Sequence, residues 1–410
     1  MPGRRSVLVG DRTRIVVSGP MGTFVVGLRA ELTRQGFTRH VVAQHSHLLA
    51  HLSSWLAERR LAPGDLTADV LQAFLAERRN AEHRYLISLR GMAPMLNYLR
   101  DLGVVPQAGL PTPTGPVEEL LSEYRRFLVD ERSLAALSVG RYLGTARVFL
   151  SALPAPLETS LHVLSAAQII DFVMAESARR KVWAAKNMVT ALRSLLRFLH
   201  VSGRLQHPLI AVVPSVAGWG LGTLPRGVPV RQVEAMLASC DRASALGRRD
   251  YAILVVLSRL GLRNGEVTHL RLDDIDWQNG QMMIRGKGNR YEALPVPDDV
   301  GCALTDYLVH GRRPGVGSRA VFVIDRAPFT PLSLSAVVSV VAAACDRGQL
   351  PRISPHQLRH TVASDLLTRG APLLEVGQLL RHRAESTTAI YAKLDHRKLG
   401  ALVRPWPGAQ

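Results

Sequence analysis

Apolar residues recur at three- and four-residue spacing through the first half of the chain, up to about residue 203. This spacing is typical of amphipathic helices that turn one face towards a core. Gly103 and Gly203 each follow one of these apolar runs, at the place where a glycine commonly ends a helix. The pattern therefore predicts that the first half of the protein is helical.

The pattern changes between about residues 226 and 400, where helical and alternating spacings are mixed. Residues 249–260 are predicted to form a buried helix that ends at a glycine. Two short runs, 281–285 and 291–296, are predicted to be strands joined by the turn GKGN at 286–289. The expected fold class is mainly α with a mixed α/β domain in the second half. Further helices are predicted around 333–346, 356–369 and 373–381.

Two stretches rich in proline and glycine divide the chain into three segments. They are residues 103–117 (GVVPQAGLPTPTGPV) and about 205–229. Such composition favours extended linkers, and a chain of 410 residues is long enough for several domains. The predicted order is an N-terminal extension at 1–20, a helical module at 21–105, a second helical module at 117–204, a mixed domain at 226–400 and a C-terminal tail at 401–410.

The two helical modules resemble each other in sequence. LTADVLQAF at 66–74 is similar to LSAAQIIDF at 164–172, and MLNYLRDLG at 95–103 is similar to LLRFLHVSG at 195–203. The offsets are 98 and 100 residues, so the spacing inside each copy is nearly kept. We predict a duplicated module of four or five helices. Two unrelated helical bundles with similar leucine spacing are the alternative.

The charge of the chain indicates what kind of partner it binds. The net charge is +18 and the isoelectric point is near 10.8. A surface this basic attracts polyanions and releases their counterions on binding. Nucleic acid is the first candidate and a membrane surface the second, although a genome that favours basic residues would give the same charge. Arginine supplies 46 of the 51 basic residues, so a lysine at a distinctive position suggests that an ammonium group matters there.

The chain lacks the usual sequence features of membrane insertion or export. No stretch of about 18 apolar residues is free of charges, so a membrane span is not expected. The apolar run near the N-terminus is interrupted by Asp11, Arg12 and Arg14, which argues against a signal peptide. The three cysteines are far apart and fit neither disulfide pairing nor zinc ligation. These features predict a cytoplasmic protein.

The mixed domain carries arginines suited to chemistry at a phosphate group. GLRNGE (261–266) places Arg263 at the start of a predicted helix, and HQLRH (356–360) places His356 and Arg359 on one helical face. Two guanidinium groups can bind the non-bridging oxygens of a phosphodiester bidentately. Phosphoryl transfer depends mainly on such positioning and charge stabilisation.

The same domain offers a nucleophile and proton donors. The segment RHRAESTTAIYAKL (381–394) carries His382 and Tyr391. A tyrosine, with a pKa of about 10, needs a base or a hydrogen-bond partner before it attacks. Lys287 at the hairpin tip can protonate a leaving hydroxyl, because the pKa of lysine falls on desolvation whereas arginine stays charged. Imidazoles at 356 and 382 can donate hydrogen bonds to a phosphate or relay protons.

Each of these residues has an ordinary structural explanation when it is taken alone. Arg263 would be a helix-end charge, Lys287 a solvated turn residue and Tyr391 a core tyrosine. Only the joint occurrence of these motifs in one domain favours catalysis.

Metal chemistry is the other hypothesis that the sequence raises. His356 and His360 have a spacing that can bind zinc, but the glutamate of H-E-x-x-H and further ligands are lacking. The acidic cluster at 273–276 would suit a metal nuclease, or more simply a solvated loop. We therefore expect no metal site.

Residues 225–397 resemble the tyrosine recombinase, or phage integrase, family. The resemblance rests on GLRNGE, the hairpin lysine in GKGN, the H-x-x-R-H pattern of HQLRH and the final His–Tyr pair. These motifs occur in the order typical of the family, which makes the resemblance specific. It extends more weakly to residues 117–203, which resemble the helical core-binding domain of the family.

The resemblance implies an enzyme that cuts and rejoins DNA at specific sites, as in integration, excision or transposition of mobile DNA. Tyr391 would be the nucleophile that forms a 3′-phosphotyrosine, and Glu266 occupies the place of a structural carboxylate. The bond energy would be kept in the phosphotyrosine, so no metal, ATP or other cofactor is expected. The chain also lacks a G-x-x-x-x-G-K-[ST] loop. The implied catalytic set is Arg263, Lys287, His356, Arg359, His382 and Tyr391.

The resemblance also implies partners. The helical modules and the mixed domain would hold double-stranded DNA between them. Four protomers, alone or with another recombinase, would bring two DNA sites together. The apolar tail at 399–408 is expected to dock on a neighbouring protomer.

The chain departs from the family pattern at two positions. Arg381 stands where the family usually has glycine, and Gln357 stands where it often has aspartate. An arginine at 381 would either crowd the phosphate or add a contact to it. Two alternatives share the other features: a type IB-like DNA topoisomerase, which needs no partner protomer, and a DNA-binding protein with an inactive site.

Overall fold

The computed structural model describes residues 6–7, 16–107, 115–217, 227–286 and 291–381. The chain divides into two compact units, one formed by Gln107–Gly220 and the other by Met1–Pro106 together with Leu221–Gln410. The mainly helical fold class is confirmed. Within the larger unit, residues 17–105 have an apolar core of their own, separate from the core of residues 236–358. In the part of the chain that the structure describes, no helix is long and apolar enough to cross a membrane.

Four helices form the N-terminal module, and a short antiparallel strand pair precedes them. Thr38 and Thr67 cap two of the helices, because each hydroxyl accepts a hydrogen bond from a backbone N–H of the first turn. The apolar faces meet around Leu28, Leu49 and Phe74, which are fully buried. The elements are β1 (Ser6–Val7), β2 (Val16–Val17), α1 (Val25–Arg34), α2 (Arg39–Glu58), α3 (Ala68–Asn80) and α4 (Leu89–Asp101).

Five helices form the second unit around the buried side chains of Tyr124, Phe149 and Leu192. The packed part of this unit extends beyond the predicted limit at residue 204. Leu205 and Val213 are buried in the same core, although the surrounding composition resembles that of a linker. The helices are α5 (Pro116–Arg126), α6 (Ala136–Ser151), α7 (Leu157–His162), α8 (Ala166–Ala178) and α9 (Val182–Val201).

The two stretches that are similar in sequence also share local structural features, while the duplication itself stays a prediction. Thr67 caps α3 and Ser165 caps α8, at the same place in the two similar stretches. After α4, the backbone N–H groups of residues 104 and 105 both donate to the carbonyl of Leu99. After α9, those of residues 204 and 205 donate in the same way to the carbonyl of Leu199. The two similar stretches therefore share helix starts and helix ends as well as leucine spacing.

The two helix-ending glycines allow a matched prediction. Gly103 and Gly203 have φ angles of +69° and +74°, and added β-carbons would meet no neighbour within 4 Å. Only the backbone conformation would then resist a side chain, so Gly103→Ala and Gly203→Ala should each destabilise the protein by about 1 kcal/mol. Chemical denaturation of the full chain measures this effect. Unequal effects would contradict the structural equivalence of the two positions.

The C-terminal part is built around one long apolar helix, α11. All its residues from Ala252 to Leu257 are buried, since helices pack on several of its sides. The prediction of a buried helix ending at Gly261 is confirmed. The elements are α10 (Val230–Ala238), α11 (Ala245–Leu260), α12 (Asn264–His269), β3 (Ile275–Asp276), β4 (Gln281–Arg285), β5 (Tyr291–Pro295), α13 (Asp298–Asp306), α14 (Leu334–Arg347), α15 (Pro355–Thr368) and α16 (Leu373–Leu379).

The small sheet contains the predicted hairpin. Its strands are antiparallel in the order β3–β4–β5. Gln281 lies opposite Pro295, and Arg285 lies opposite Tyr291 at the end near the turn. Met282, Ile284 and Leu294 face the core while their neighbours point outward, as period-two alternation requires.

Candidate active site

Arg263 lies in the turn between α11 and α12. Gly261 ends α11 with a φ of +57°, in the left-handed region that glycine adopts most easily. Arg263 then stands just before α12, where the Glu266 carboxylate accepts two bonds from it. One comes from the backbone N–H (2.8 Å) and the other from Nη1 (2.6 Å). A single carboxylate thus fixes both the backbone and the guanidinium of Arg263.

Arg359 lies in the second turn of α15. Ser354 caps this helix, and Gln357 completes the cap by accepting a bond from the Ser354 N–H through Oε1 (2.8 Å). Gln357, one of the two departures from the family pattern, therefore helps to start the helix that carries Arg359. Arg359 is only 2% exposed. Its Nη1 donates to the carbonyl oxygen of Gly261 (2.6 Å), and its Nη2 donates to that of Leu380.

The two arginines meet at one short segment after α16. Nη2 of Arg263 donates to the carbonyl oxygen of Arg381 (2.8 Å), next to the Leu380 carbonyl that Arg359 contacts. The structure thus brings together two residues that are far apart in sequence. It also places beside them the segment that leads to His382.

A pocket of about 450 Å³ opens beside these arginines. Arg263, His356 and Arg359 all line it. The described lining residues include two guanidinium groups and no carboxylate, so the pocket suits an anion such as a phosphodiester. The other lining residues are Leu262, Asn264, Gly265, Leu334, Ser335, Val338 and Pro355.

His356 and His360 stand one helical turn apart, with ring centroids 4.4 Å from each other in an edge-to-face arrangement. Burial, together with the charges of Arg359 and Arg263, lowers the pKa of His356 below its ordinary value. Burial and the neighbouring His356 and Arg359 lower the pKa of His360 to about 4. Both imidazoles are therefore mainly neutral at neutral pH. A neutral His356 still has one N–H to donate to an anion in the pocket.

These lowered pKa values predict a loss of stability in mild acid. Between about pH 4 and pH 6.5, the folded protein binds fewer protons at these histidines than the unfolded chain does. The stabilisation is complete above the unfolded pKa of about 6.5 and is lost as the pH falls towards 4. We expect the free energy of unfolding to fall between about pH 7 and pH 5, and His360→Leu to reduce this fall. Urea denaturation at both pH values measures it, and an equal fall in both proteins would contradict the prediction.

The acidic cluster at 273–276 is held in ion pairs and turn hydrogen bonds. Asp274 is buried, accepts a bond from the backbone N–H of Arg271 (2.8 Å) and pairs with Arg285 (2.9 Å). The carboxylate of Asp273 pairs with Arg319. The cluster thus stabilises the turn that leads into β3, and only part of it behaves as the solvated loop that the sequence suggested.

Three predicted catalytic residues, Lys287, His382 and Tyr391, lie outside the described residues. So does the tail at 399–408, which was expected to dock on a neighbouring protomer. The described chain reaches the base of the Lys287 hairpin at Arg285 and Tyr291, and it reaches Arg381 just before His382. The roles of these three residues stay predictions.

Arg381 has a structural role that the sequence did not reveal. Its φ is +54°, in the left-handed region that glycine adopts most easily. Its guanidinium does not point at a phosphate site but is buried against Glu266, with Nη2 2.8 Å from Oε2. The arginine in place of glycine marked this position in the sequence as unusual. Only the structure shows that the partner of Arg381 is Glu266.

Comparison with known proteins identifies the family of the chain. The model described as "Phage integrase family" matches residues 228–398. The putative integrase/recombinase y4rA of Sinorhizobium fredii (strain NBRC 101917 / NGR234) is 36% identical over 395 residues, which cover 95% of each chain. The tyrosine recombinase XerD of Mycobacterium tuberculosis (strain ATCC 25618 / H37Rv) is 32% identical over 308 residues, which cover 70% of this chain and 96% of XerD.

A solved structure shares the fold. In a lambda integrase tetramer bound to a Holliday junction, the matching chain has a TM-score of 0.52 and 16% identity, covering 79% of this chain and 90% of that one. The sequence relatives define a class of enzyme that breaks and rejoins DNA strands. The chain belongs to the phage integrase family, and its activity is site-specific DNA recombination. These similarities do not favour the topoisomerase or the inactive DNA-binding protein.

Proposed function

We propose that Tyr391 attacks a DNA phosphate held by Arg263 and Arg359, and that strand exchange proceeds through a 3′-phosphotyrosine. The observation that carries this proposal is the pocket in which Arg263, His356 and Arg359 converge. Each guanidinium offers a planar fork of N–H donors that matches two phosphate oxygens. The neutral imidazole of His356 adds one further donor.

In the proposed step, the phenol oxygen of Tyr391 bonds to phosphorus and the bond from phosphorus to the 5′ oxygen breaks. The phenol proton passes to an imidazole, at 356 or 382, and Lys287 protonates the leaving 5′ oxygen. Arg263 and Arg359 stabilise the negative charge that grows on the non-bridging oxygens. Attack by the 5′ hydroxyl of another strand reverses the step and restores Tyr391. One phosphate ester is exchanged for another, so the proposed step consumes no ATP and assigns no role to a metal.

The proposal extends to the assembly. The likeness to the lambda integrase tetramer on a Holliday junction and the net charge of +18 support four protomers that hold two duplexes. The helical modules bind the DNA backbone, mainly through arginine. In the second module, Trp183 is exposed in the first turn of α9, close in sequence to Lys181 and Lys186. The protein acts on DNA in the cytoplasm.

A covalent-trapping experiment tests the function. The full-length protein is incubated in EDTA with nicked duplexes taken from the flanks of its own gene, and SDS-resistant adducts are isolated. Proteolysis and mass spectrometry then locate the nucleotide on the protein. We expect it on Tyr391. A nucleotide on another residue would refute the assignment of the nucleophile, and tight DNA binding without any adduct would favour an inactive binding protein.

A further inference from the structure

We propose that Arg381 is a positioning residue that neutralises Glu266 and thereby leaves the positive charge of Arg263 available to the DNA phosphate. This inference rests on the proposed function of the arginine pocket. It concerns a residue that does not line that pocket itself.

The geometry joins the three side chains in one network. Glu266 accepts a bond from Nη1 of Arg263 through Oε1 (2.6 Å) and one from Nη2 of Arg381 through Oε2 (2.8 Å). The main chain closes the network, because Arg263 Nη2 donates to the carbonyl oxygen of Arg381 (2.8 Å). Arg381 is also held by the carbonyl oxygen of Leu379, to which its Nη1 donates (2.7 Å).

Burial distinguishes the roles of the two arginines. The side chains of Arg381 and Glu266 are 2% and 3% exposed, whereas that of Arg263 is 38% exposed. Of these two arginines, only Arg263 lines the pocket, so its guanidinium is the one placed to contact a phosphate there. The backbone conformation of Arg381 also costs free energy, since its φ of +54° disfavours any residue with a side chain. Its buried Nε atom has no hydrogen-bond partner among the described residues. Both the positive φ and the unpartnered Nε are unfavourable, so an arginine is expected at this position only if its guanidinium has a function.

The function of Arg381 follows from the charges of Glu266 and the two arginines. Burial acts to raise the pKa of Glu266, but Arg381 and the bonds from Arg263 outweigh it and hold the pKa below its ordinary value. The carboxylate is therefore ionised. Paired with Arg263 alone, it would cancel the charge that the phosphate needs. With Arg381 present, the three groups carry one net positive charge, and Arg263 presents it to the pocket.

The test compares cleavage at saturating DNA with DNA affinity. Single-turnover formation of the covalent adduct is measured on a nicked duplex for the wild type, Arg381→Met, and the double variant E266Q/R381M. We expect Arg381→Met to slow cleavage at least about tenfold and to leave DNA affinity within about threefold. The double variant should recover most of the rate, because a neutral amide at position 266 no longer cancels the charge of Arg263. A merely structural role would not give this rescue.

Two further variants separate the loss of the charge at Arg381 from poor folding and from the loss of any arginine. Arg381→Lys keeps the charge and should cleave within about threefold of the wild type, even if Arg381→Met folds poorly. Arg352→Met is the matched control, because it removes an arginine from an exposed pair with Asp346 and should change nothing. Wild-type rates in Arg381→Met, a folded but slow Arg381→Lys, or a double variant as slow as Arg381→Met would each overturn the proposal. Absence of an adduct in the wild type would instead refute the proposed function of the site.

Discussion

Replacing Tyr391 with phenylalanine is expected to abolish the covalent protein–DNA adduct while DNA binding stays unchanged. Phenylalanine keeps the aromatic ring but has no oxygen to bond to phosphorus. The rate should therefore fall by at least about 10³, to the limit of detection. Adduct formation on nicked duplexes and binding by gel shift, measured on the same preparations, separate chemistry from affinity.

Tyr85→Phe is the matched control for this experiment. The Tyr85 side chain is 70% exposed in the N-terminal module, so removing its hydroxyl should leave both cleavage and binding as in the wild type. An adduct that survives in Tyr391→Phe would mean that another residue is the nucleophile. The arginine pocket would then have to serve a residue that the sequence did not identify.

Replacing Arg359 with lysine should slow cleavage by about 10² to 10³ although the charge is kept. Arg359 is almost fully buried, and its two terminal nitrogens donate to different carbonyl oxygens, of Gly261 and Leu380. An ammonium group is a point charge on a flexible stem, so it cannot hold both carbonyls and also face a phosphate bidentately. Single-turnover cleavage at saturating DNA measures the loss.

Arg352→Lys provides the comparison for Arg359→Lys. Arg352 forms an exposed pair with Asp346 in the same domain, and this substitution should leave the cleavage rate unchanged. DNA affinity should change little in either variant, because many other arginines contribute to the charge of +18. A rate in Arg359→Lys within about threefold of the wild type would show that charge alone suffices at this position.

Local signals were enough to predict the framework of the site. The apolar run of α11 and the glycine that follows it predicted a helix ending at Gly261, and the helix extends only four residues further at its start, to Ala245. The alternating strands and the GKGN turn predicted the hairpin. Arg263 and Arg359 were predicted to bind a phosphate because their residue type and their motifs suit one. Each of these signals lies within a few residues of the feature it predicts.

The contacts that complete the site depend on distant residues and were not predicted. The partner of Arg381, Glu266, is 115 residues away in sequence, and no local pattern pairs them. Asp274 was expected in a solvated loop, but Arg285 eleven residues later lets it be buried. Leu205 and Val213 lie in proline-rich sequence, yet their side chains complete the core of the second unit. In each case the environment of the side chain is set by tertiary contacts that the local sequence does not reveal.

Both pocket arginines donate to main-chain carbonyl oxygens of the segment that follows α16. Every amino acid supplies a carbonyl, so a point mutation at 380 or 381 cannot delete the acceptor. A change in the length of the connection between α15 and α16 would shift both carbonyls at once. Apart from the side chain of Arg381, this part of the enzyme should therefore tolerate amino-acid exchange during evolution much better than insertion or deletion between residues 369 and 381.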